Sequence, residues 1–565
     1  MPRSRGRWAR LIAARARRAD GALGGANGQF FQETIMSEHE SPPTASPRRS
    51  RRGGGRDARL AARAADEGGH AVRAGMPGGA YKPLSSEDIE RIHAAALDVL
   101  ENIGIGDPIP EILDAVLPKG CLLGEDGRLR FPRALVEDAI AKTPKSYVLH
   151  APDPALDMEV KNQDVILTTS GEPVKILDYE SQTFRDPTLL DVYDTARLVD
   201  RMEHIHYFGQ PFIAPEWSHD LYVHDMNTAY AALAGTRKTF SLGVATVGHI
   251  EPLIGLFDLY LGREGAFLER PFCCFGGCPI VSPLRFAEEN AQVLVKLAKL
   301  GLVVDVAIAA QAGATAPASL AGALVQTFAE TLACLTVVHL INPNCPMNFG
   351  MWPFISDLRT GAFSGGSGEE ALITAATVQL VNHYGLISSV PSGMTDSKTM
   401  DAQAGYEKAL TTLSAVLAGG NMVATYPGAV GSLMGQSLEG IVIDNDMLGA
   451  TLRILRGIEV TEERLSLKEI ESVVFGDGHF LNQPQTLELM RTEYLYPEVG
   501  DRSPVGDWEE SGSPTVYDRA HEKVREILSS HYPEYIESGV DAKIREHFPI
   551  QIAIEDTKAG NGRWD

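Results

Sequence analysis

From residue 163 onward the apolar positions fall into two alternating rhythms. Short apolar runs recur at 164–169, 205–212, 239–246, 272–279, 303–311, 347–352, 386–390 and 421–426, each of a length that suits one buried strand. After each run the apolar residues return at three- and four-residue spacing, near 187–202, 219–235, 249–263, 283–299, 317–341, 368–383, 401–418 and 432–456. That spacing is the repeat of a helix face. Eight such β–α units within residues 161–456 predict a (β/α)8 TIM-type barrel, a fold for which ~250 residues are typical. A doubly wound open sheet shares the alternation, because periodicity does not report closure. No GxGxxG or Walker-type loop opens a helix, which removes the strongest argument for the open sheet.

The flanks read differently. Residues 81–160 form a mixed N-terminal cap. There Ser85 or Ser86 caps a helix that runs toward Gly104, and further helical stretches follow at 110–116 and 132–141. Residues 457–565 predict a C-terminal helical extension packed on the barrel, with an acidic helix at 459–473 and a last helix at 515–531. Residues 1–80, rich in Arg, Ala, Gly and Ser, read as a disordered tail.

Charge sharpens the division. The chain carries −23, but residues 1–80 hold fifteen Arg against seven acids, so the remainder is −31. A body this acidic repels nucleic acid and anionic membrane surfaces, and its mean field favours small cations. Six cysteines in 565 residues do not make a disulfide framework. With no secretory leader, the expected compartment is the reducing cytoplasm. No apolar run reaches the ~20 residues of a membrane helix; even LVVDVAIAA is broken by Asp305.

In a closed barrel chemistry sits where strands end. That rule selects Ser170 and Glu172 after the first strand, Gln210 and Glu216-Trp217 near the second, Cys278 at the fourth and Gln311 at the fifth. It adds Asn348 and Trp352 at the sixth, the loop from Ser392 to Lys398 at the seventh and Tyr426 at the eighth. Metal binding finds little support, since Cys273 and Cys274 fall on opposite faces of a strand and no CxxC or HExxH accompanies them. The pair His204/His206 precedes its strand's apolar core, and His249, His339, His383 and Glu330 read as structural helix residues. No GxSxG elbow is present. Asp401 is explained as a helix cap and Glu407 as helix surface, whereas Asp396 and Lys398 have no such local reason.

The run TDSKTMDAQAGYEK (Thr395 to Lys408) resembles the signature of the trimethylamine methyltransferase family. SSEDIERIHAAALDVLENIGI, SGEPVKILD, HYFGQP, GATAPASLAGALVQTFAE, SLEGIVIDNDM and DWEESGS extend the likeness across residues 80–550. The resemblance implies a barrel enzyme of one-carbon metabolism that moves a methyl group from an amine to the cobalt of a corrinoid carried by a partner protein, with no metal bound by the chain itself. Met394 stands where the family's archaeal trimethylamine enzymes carry pyrrolysine. The chain is therefore similar to the pyrrolysine-lacking branch, whose substrate type is a quaternary amine such as glycine betaine. On this reading Asp396 and Lys398 are catalytic. Glu172, Gln210, Trp217, Gln311, Asn348, Trp352, Met394 and Tyr426 bind substrate, with Trp217, Trp352 and Tyr426 as the aromatic cage. A homo-oligomer is expected. Two other readings stay open at this point: a metal-dependent barrel lyase or hydrolase, and a non-catalytic binder of quaternary ammonium compounds.

Overall fold

The computed structural model describes residues 73–476 and 478–564. Each apolar run of the alternating region contributes a strand: β1 (Asp164–Thr168), β2 (Phe208–Gly209), β3 (Phe240–Gly243), β4 (Cys273–Gly277), β5 (Val304–Val306), β6 (Met347–Gly350), β7 (Ser388–Pro391) and β8 (Met422–Ala424). The helices between and after them are α1 (Leu189–Asp200), α2 (Leu221–Gly235), α3 (Ile250–Leu261), α4 (Glu288–Leu300), α5 (Leu320–Ile341), α6 (Gly368–His383), α7 (Ala402–Ala418) and α8 (Leu438–Arg456). From β2 to β8 every strand pairs in parallel with the next, and β8 pairs in parallel with β1, Met422 lying opposite Ile166. A ninth strand, Met76–Pro77, runs antiparallel to the start of β1.

The two ends of this sheet meet again. Thr168 is bridged in parallel to Tyr207, with the Thr169 N–H donating to the Tyr207 carbonyl at 3.0 Å and the His206 N–H to the Leu167 carbonyl at 2.8 Å. Met76–Pro77 covers the lower part of the β1 edge, where β2 has not yet begun. The fold is thus mixed α/β, a curled and mostly parallel nine-stranded sheet surrounded by helices, compatible with a TIM-type barrel.

Side-chain alternation along the strands sorts the core into layers. Val165 and Leu167 of β1 join the large outer core beneath the helices. Ile166 points the other way, into an inner cluster with Tyr207, Cys274, Ile387 and Met422. Cys273 and Cys274 divide between the same two layers. The hairpin of Ser146–Leu149 and Met158–Lys161 adds Leu149 and Val160 to the inner cluster. It closes the end at which the strands begin, so the interior opens only where they end.

One helix departs from the expectation that no apolar run approaches membrane-spanning length. Helix α5 spans 22 residues, long and apolar enough to cross a membrane by length and composition, and its most apolar stretch is 83% buried inside the fold. It is apolar all round because α4 lies on one side and the N-terminal helices Ser86–Asp98 and Arg133–Lys142 lie on the other. Helix Ser86–Asp98 starts at a capping box of Ser85 and Asp88.

At the C-terminus, Val516–Ser530 packs on α8 and α1, and Ser538–His547 packs on α3. The buried Arg197 of α1 ties this region down by donating to the carbonyls of Leu528 and His531. Between α8 and Leu495 the chain instead makes an arm. The acidic helix expected at 459–473 is only Leu467–Val474, preceded by Ser466 in the left-handed region (φ 55°). The apolar periodicity there has no core to face: Ile458 and Phe475 are 89% and 86% exposed.

Candidate active site

The loops after the strands enclose a cavity of about 500 Å³ at the open end of the sheet. Its floor is set by side chains that point inward from the strands, among them Tyr207, Asp305 and Met422. Asp305 accepts from the Asn348 Nδ2 at 3.2 Å, while the Asn348 Oδ1 accepts from the Tyr147 hydroxyl. Asn348 therefore braces the floor from below and does not line the cavity. Enclosure by the walls pushes the Asp305 carboxyl up to about 6, partly offset by the bond from Asn348.

One wall is aromatic. The Trp352 and Tyr426 rings meet edge to face, 6.1 Å apart, and the Trp352 indole N–H donates to the Ser389 carbonyl at 3.1 Å. Phe354 and Phe363 continue the stack outside. Tyr426 is held by the backbone of the facing loop, since a Cβ on Gly171 would fall 2.6 Å from its ring. Only glycine fits there.

The facing wall is polar and acidic. Glu172 follows directly, itself at φ 57°, and its Oε1 lies over Gly243, where a Cβ would be 2.2 Å away. Its tip is open to the cavity's own water, yet the walls shut out bulk solvent, and this enclosure raises its pKa. The nearby His224 opposes that shift and Asp225 adds to it. Gln210 accepts from the Gly243 N–H at 3.2 Å. Behind them stands a chain of three residues. Asp225 lies 3.2 Å from the His224 Nδ1 and 2.7 Å from the His249 Nδ1, and accepts from the Ala245 N–H at 3.1 Å. His224 lines the cavity, and its Nε2 is buried without a hydrogen-bond partner. No Lys or Arg is among the lining residues described.

Of the residues selected from sequence, Ser170, Glu172, Gln210, Cys278, Trp352 and Tyr426 come together on this cavity. The others are elsewhere. Trp217 ends a short 3-10 turn and stacks on His219. Gln311 starts a small separate strand that pairs with Phe354. Met394 is fully buried behind Tyr426, packed with Ala424 and Ala429.

Asp396 also lies outside the cavity. Its carboxylate accepts from the Ser364 hydroxyl (2.7 Å), the Gly365 N–H (2.9 Å) and the Ser432 hydroxyl (2.8 Å), which ties three loops together. Lys398 is exposed and donates to the Asp396 carbonyl. Asp401 caps α7 as its position predicts.

Glu407 is not helix surface. It is buried, accepting from the Thr395 hydroxyl at 2.6 Å and the Asp396 N–H at 2.8 Å. Its neighbour Lys408 donates to the carbonyls of Gly393 and Tyr426 and pairs with Asp444 at 2.9 Å. The signal for this was present: Lys408 falls in register with Ala404, Thr411 and Ala415, the buried face of α7. Glu330, also read as structural, is a buried brace for the Ser282 hydroxyl and the Leu284 N–H.

Comparison with known proteins adds to this geometry. Residues 49–553 match the family described as Trimethylamine methyltransferase (MTTB). The chain belongs to that family. Among its curated relatives, the glycine betaine methyltransferase of Desulfitobacterium hafniense (strain Y51) is 29% identical over 465 residues, 82% of this chain and 96% of the relative. The trimethylamine methyltransferase MttB of Methanosarcina thermophila is 32% identical over 471 residues, 81% of this chain and 95% of the relative. That of Methanosarcina barkeri is likewise 32% identical, over 92% of its length. Family members with different named substrates thus align with this chain along nearly their whole length, so the alignment alone does not name an amine. Among the described residues, no three His, Cys, Asp or Glu side chains group as a metal-binding set.

Proposed function

We propose that this chain is a pyrrolysine-independent amine:corrinoid methyltransferase, taking a methyl group from a quaternary or related methylated amine, the class that includes betaines. One observation carries the reading: an aromatic wall of Trp352 and Tyr426 faces the carboxylate of Glu172 across a cavity lined by no Lys or Arg. An ammonium carrying methyl groups is bound by ring faces and a nearby negative charge, each ring worth ~0.5–2 kcal/mol. A cation held there also stabilises the ionised form of Glu172, whose pKa the walls raise.

A corrinoid docked by a partner protein would supply a cobalt nucleophile as acceptor of the methyl group. What the chain must do is hold the ammonium so that one methyl points out of the open end, and the closed hairpin end leaves no other approach. A quaternary amine departs as a neutral tertiary amine and needs no proton. Met394 in place of pyrrolysine is consistent with that, since no adduct has to form. We assign Gln210 to the ammonium's surroundings and Asp396 to positioning, through the loops it joins. The Thr168–Tyr207 bridge supports reading the eight parallel strands as a closed (β/α)8 barrel.

The reading is tested by incubating the purified protein with cob(I)alamin and a panel of betaines, carnitine and choline. Methylation of the cobalt by at least one compound is expected. An unchanged cobalt spectrum across the panel rejects the enzyme reading, and a thermal shift without transfer favours a binding protein.

We further propose that the protein is a homo-oligomer. Residues 458–492 form an arm anchored at both ends beside the end of α8, where Arg453 and Arg456 donate to the carbonyls of Glu493 and Thr492. Helices alternate in direction with the strands, so this anchor lies at the closed end, away from a corrinoid at the mouth. The arm's helix Pro484–Thr492 buries no residue within its own chain. A second copy is the partner that would cover it.

A further inference from the structure

Two buried polar atoms of the cavity lining are left without a partner, the Tyr207 hydroxyl on the floor and the His224 Nε2 on the wall beside Glu172, and the reading above gives the histidine nothing to do. We infer that His224 selects the substrate's tail, and that this tail is an alcohol: the enzyme acts on a hydroxylated quaternary amine of the choline type. The inference rests on the proposed methyl transfer and narrows its substrate.

The geometry fixes which partner the nitrogen wants. Asp225 is an acceptor, and it lies against the Nδ1 of both His224 and His249 while also taking the Ala245 N–H. The His224 Nδ1 therefore carries its proton toward Asp225, and Nε2 presents a lone pair to the cavity. A hydroxyl can donate to it. A carboxylate has no hydrogen to offer that lone pair, whereas a hydroxyl pairs with the ring in either form, donating to the lone pair or accepting from an N–H.

Charge argues the same way. A carboxylate tail would enter a cavity that already holds Glu172, Asp225 and Asp305, with no Lys or Arg on its described lining to compensate. Lys398, expected from the sequence to be catalytic, is exposed and outside. An alcohol tail adds no charge. It also relieves an unpaired buried nitrogen, which is costly to leave as it is. Asp225, itself held by His249, also fixes the His224 ring in place.

The experiment measures kcat/KM for methylation of cob(I)alamin by choline, glycine betaine and tetramethylammonium, and the thermal shift each compound gives. Wild type is expected to prefer choline over both others by about ten-fold or more, the scale of one buried hydrogen bond. His224→Phe should collapse choline's advantage over tetramethylammonium, and His224→Gln, which keeps an acceptor, should restore part of it. Glycine betaine turned over faster than choline, with the loss in His224→Phe falling on glycine betaine, overturns the inference. So does a choline advantage that His224→Phe leaves intact. If His224→Phe does not fold, the wild-type ranking and His224→Gln still decide. Absent methylation with a choline-selective thermal shift that His224→Gln weakens would reject the catalytic reading and keep the tail assignment; no shift by any of the three rejects both.

Discussion

The cavity's behaviour rests on two kinds of side chain, rings that attract a cation and carboxylates held where water is scarce. Trp352 is the ring whose removal is easiest to interpret, because Leu keeps an apolar filling at the same place. Trp352→Leu is expected to lower kcat/KM for a quaternary amine by about 2- to 30-fold, the span of one cation–π contact. An unchanged value would take the ring out of substrate binding. Asp305 makes a prediction about pH. Its folded-state pKa of about 6 lies above the ~3.9 of an unfolded Asp, so the folded chain holds that proton more tightly. The stabilisation this gives is complete below about pH 4 and is lost as pH rises through about 6, where the enclosed charge must form. Asp305→Asn removes the titration. Because the carboxyl still touches cavity water, the gain should be on the order of 1–3 kcal/mol at pH 8 and should shrink toward pH 5, as read by urea unfolding at the two pH values. An equal difference at both would assign the effect to packing alone.

Loops, more than strands, decide where the site's walls stand, and the seventh loop carries most of that task. Thr395 donates to Glu407 of α7, Asp396 accepts from Ser364, and the buried pair of Lys408 and Asp444 joins α7 to α8, with Lys408 also holding the Tyr426 carbonyl of the eighth loop. Lys408→Met leaves Asp444 enclosed without its cation, and should cost ~3–5 kcal/mol of stability. Adding Asp444→Asn should recover a large part of that cost in chemical denaturation. No recovery would mean the pair is not coupled as its geometry implies. This loop also marks the limit of what the sequence reveals. The strand–helix alternation was legible because apolar periodicity is local, and strand-end position alone found Glu172, Gln210, Trp352 and Tyr426. Asp396 looked catalytic because the serines that saturate it come from residues 364 and 432, 32 and 36 positions away. His224 went unnoticed for the opposite reason: inside a continuous helical pattern nothing local distinguishes a histidine facing a cavity from one facing a core. Asp305 did carry a local signal, a lone acid in a buried strand, but it was read only as an interruption.

At the scale of the molecule, the two ends of the curled sheet are given different tasks. The mouth gathers carboxylates and aromatic rings, within a chain whose residues beyond 80 carry −31, and this field draws cationic amines toward it. The opposite end is sealed by a hairpin and bears the arm of residues 458–492. The arm exposes Ile458, Val460, Leu467, Val474, Phe475 and Leu481, each by more than 60%. An apolar surface of this kind, concentrated in one segment, is unfavourable in water unless another surface covers it. A second copy approaching from the closed end would do so without obstructing the mouth. Phe475→Asp together with Val474→Asp should therefore shift the protein to a smaller species in light scattering coupled to size exclusion. Because the arm is anchored far from the cavity, methyl transfer per chain should fall less than two-fold when measured at the same protein concentration. An unchanged mass would leave the arm without a role in assembly, and a lost activity with unchanged mass would place the corrinoid partner there instead.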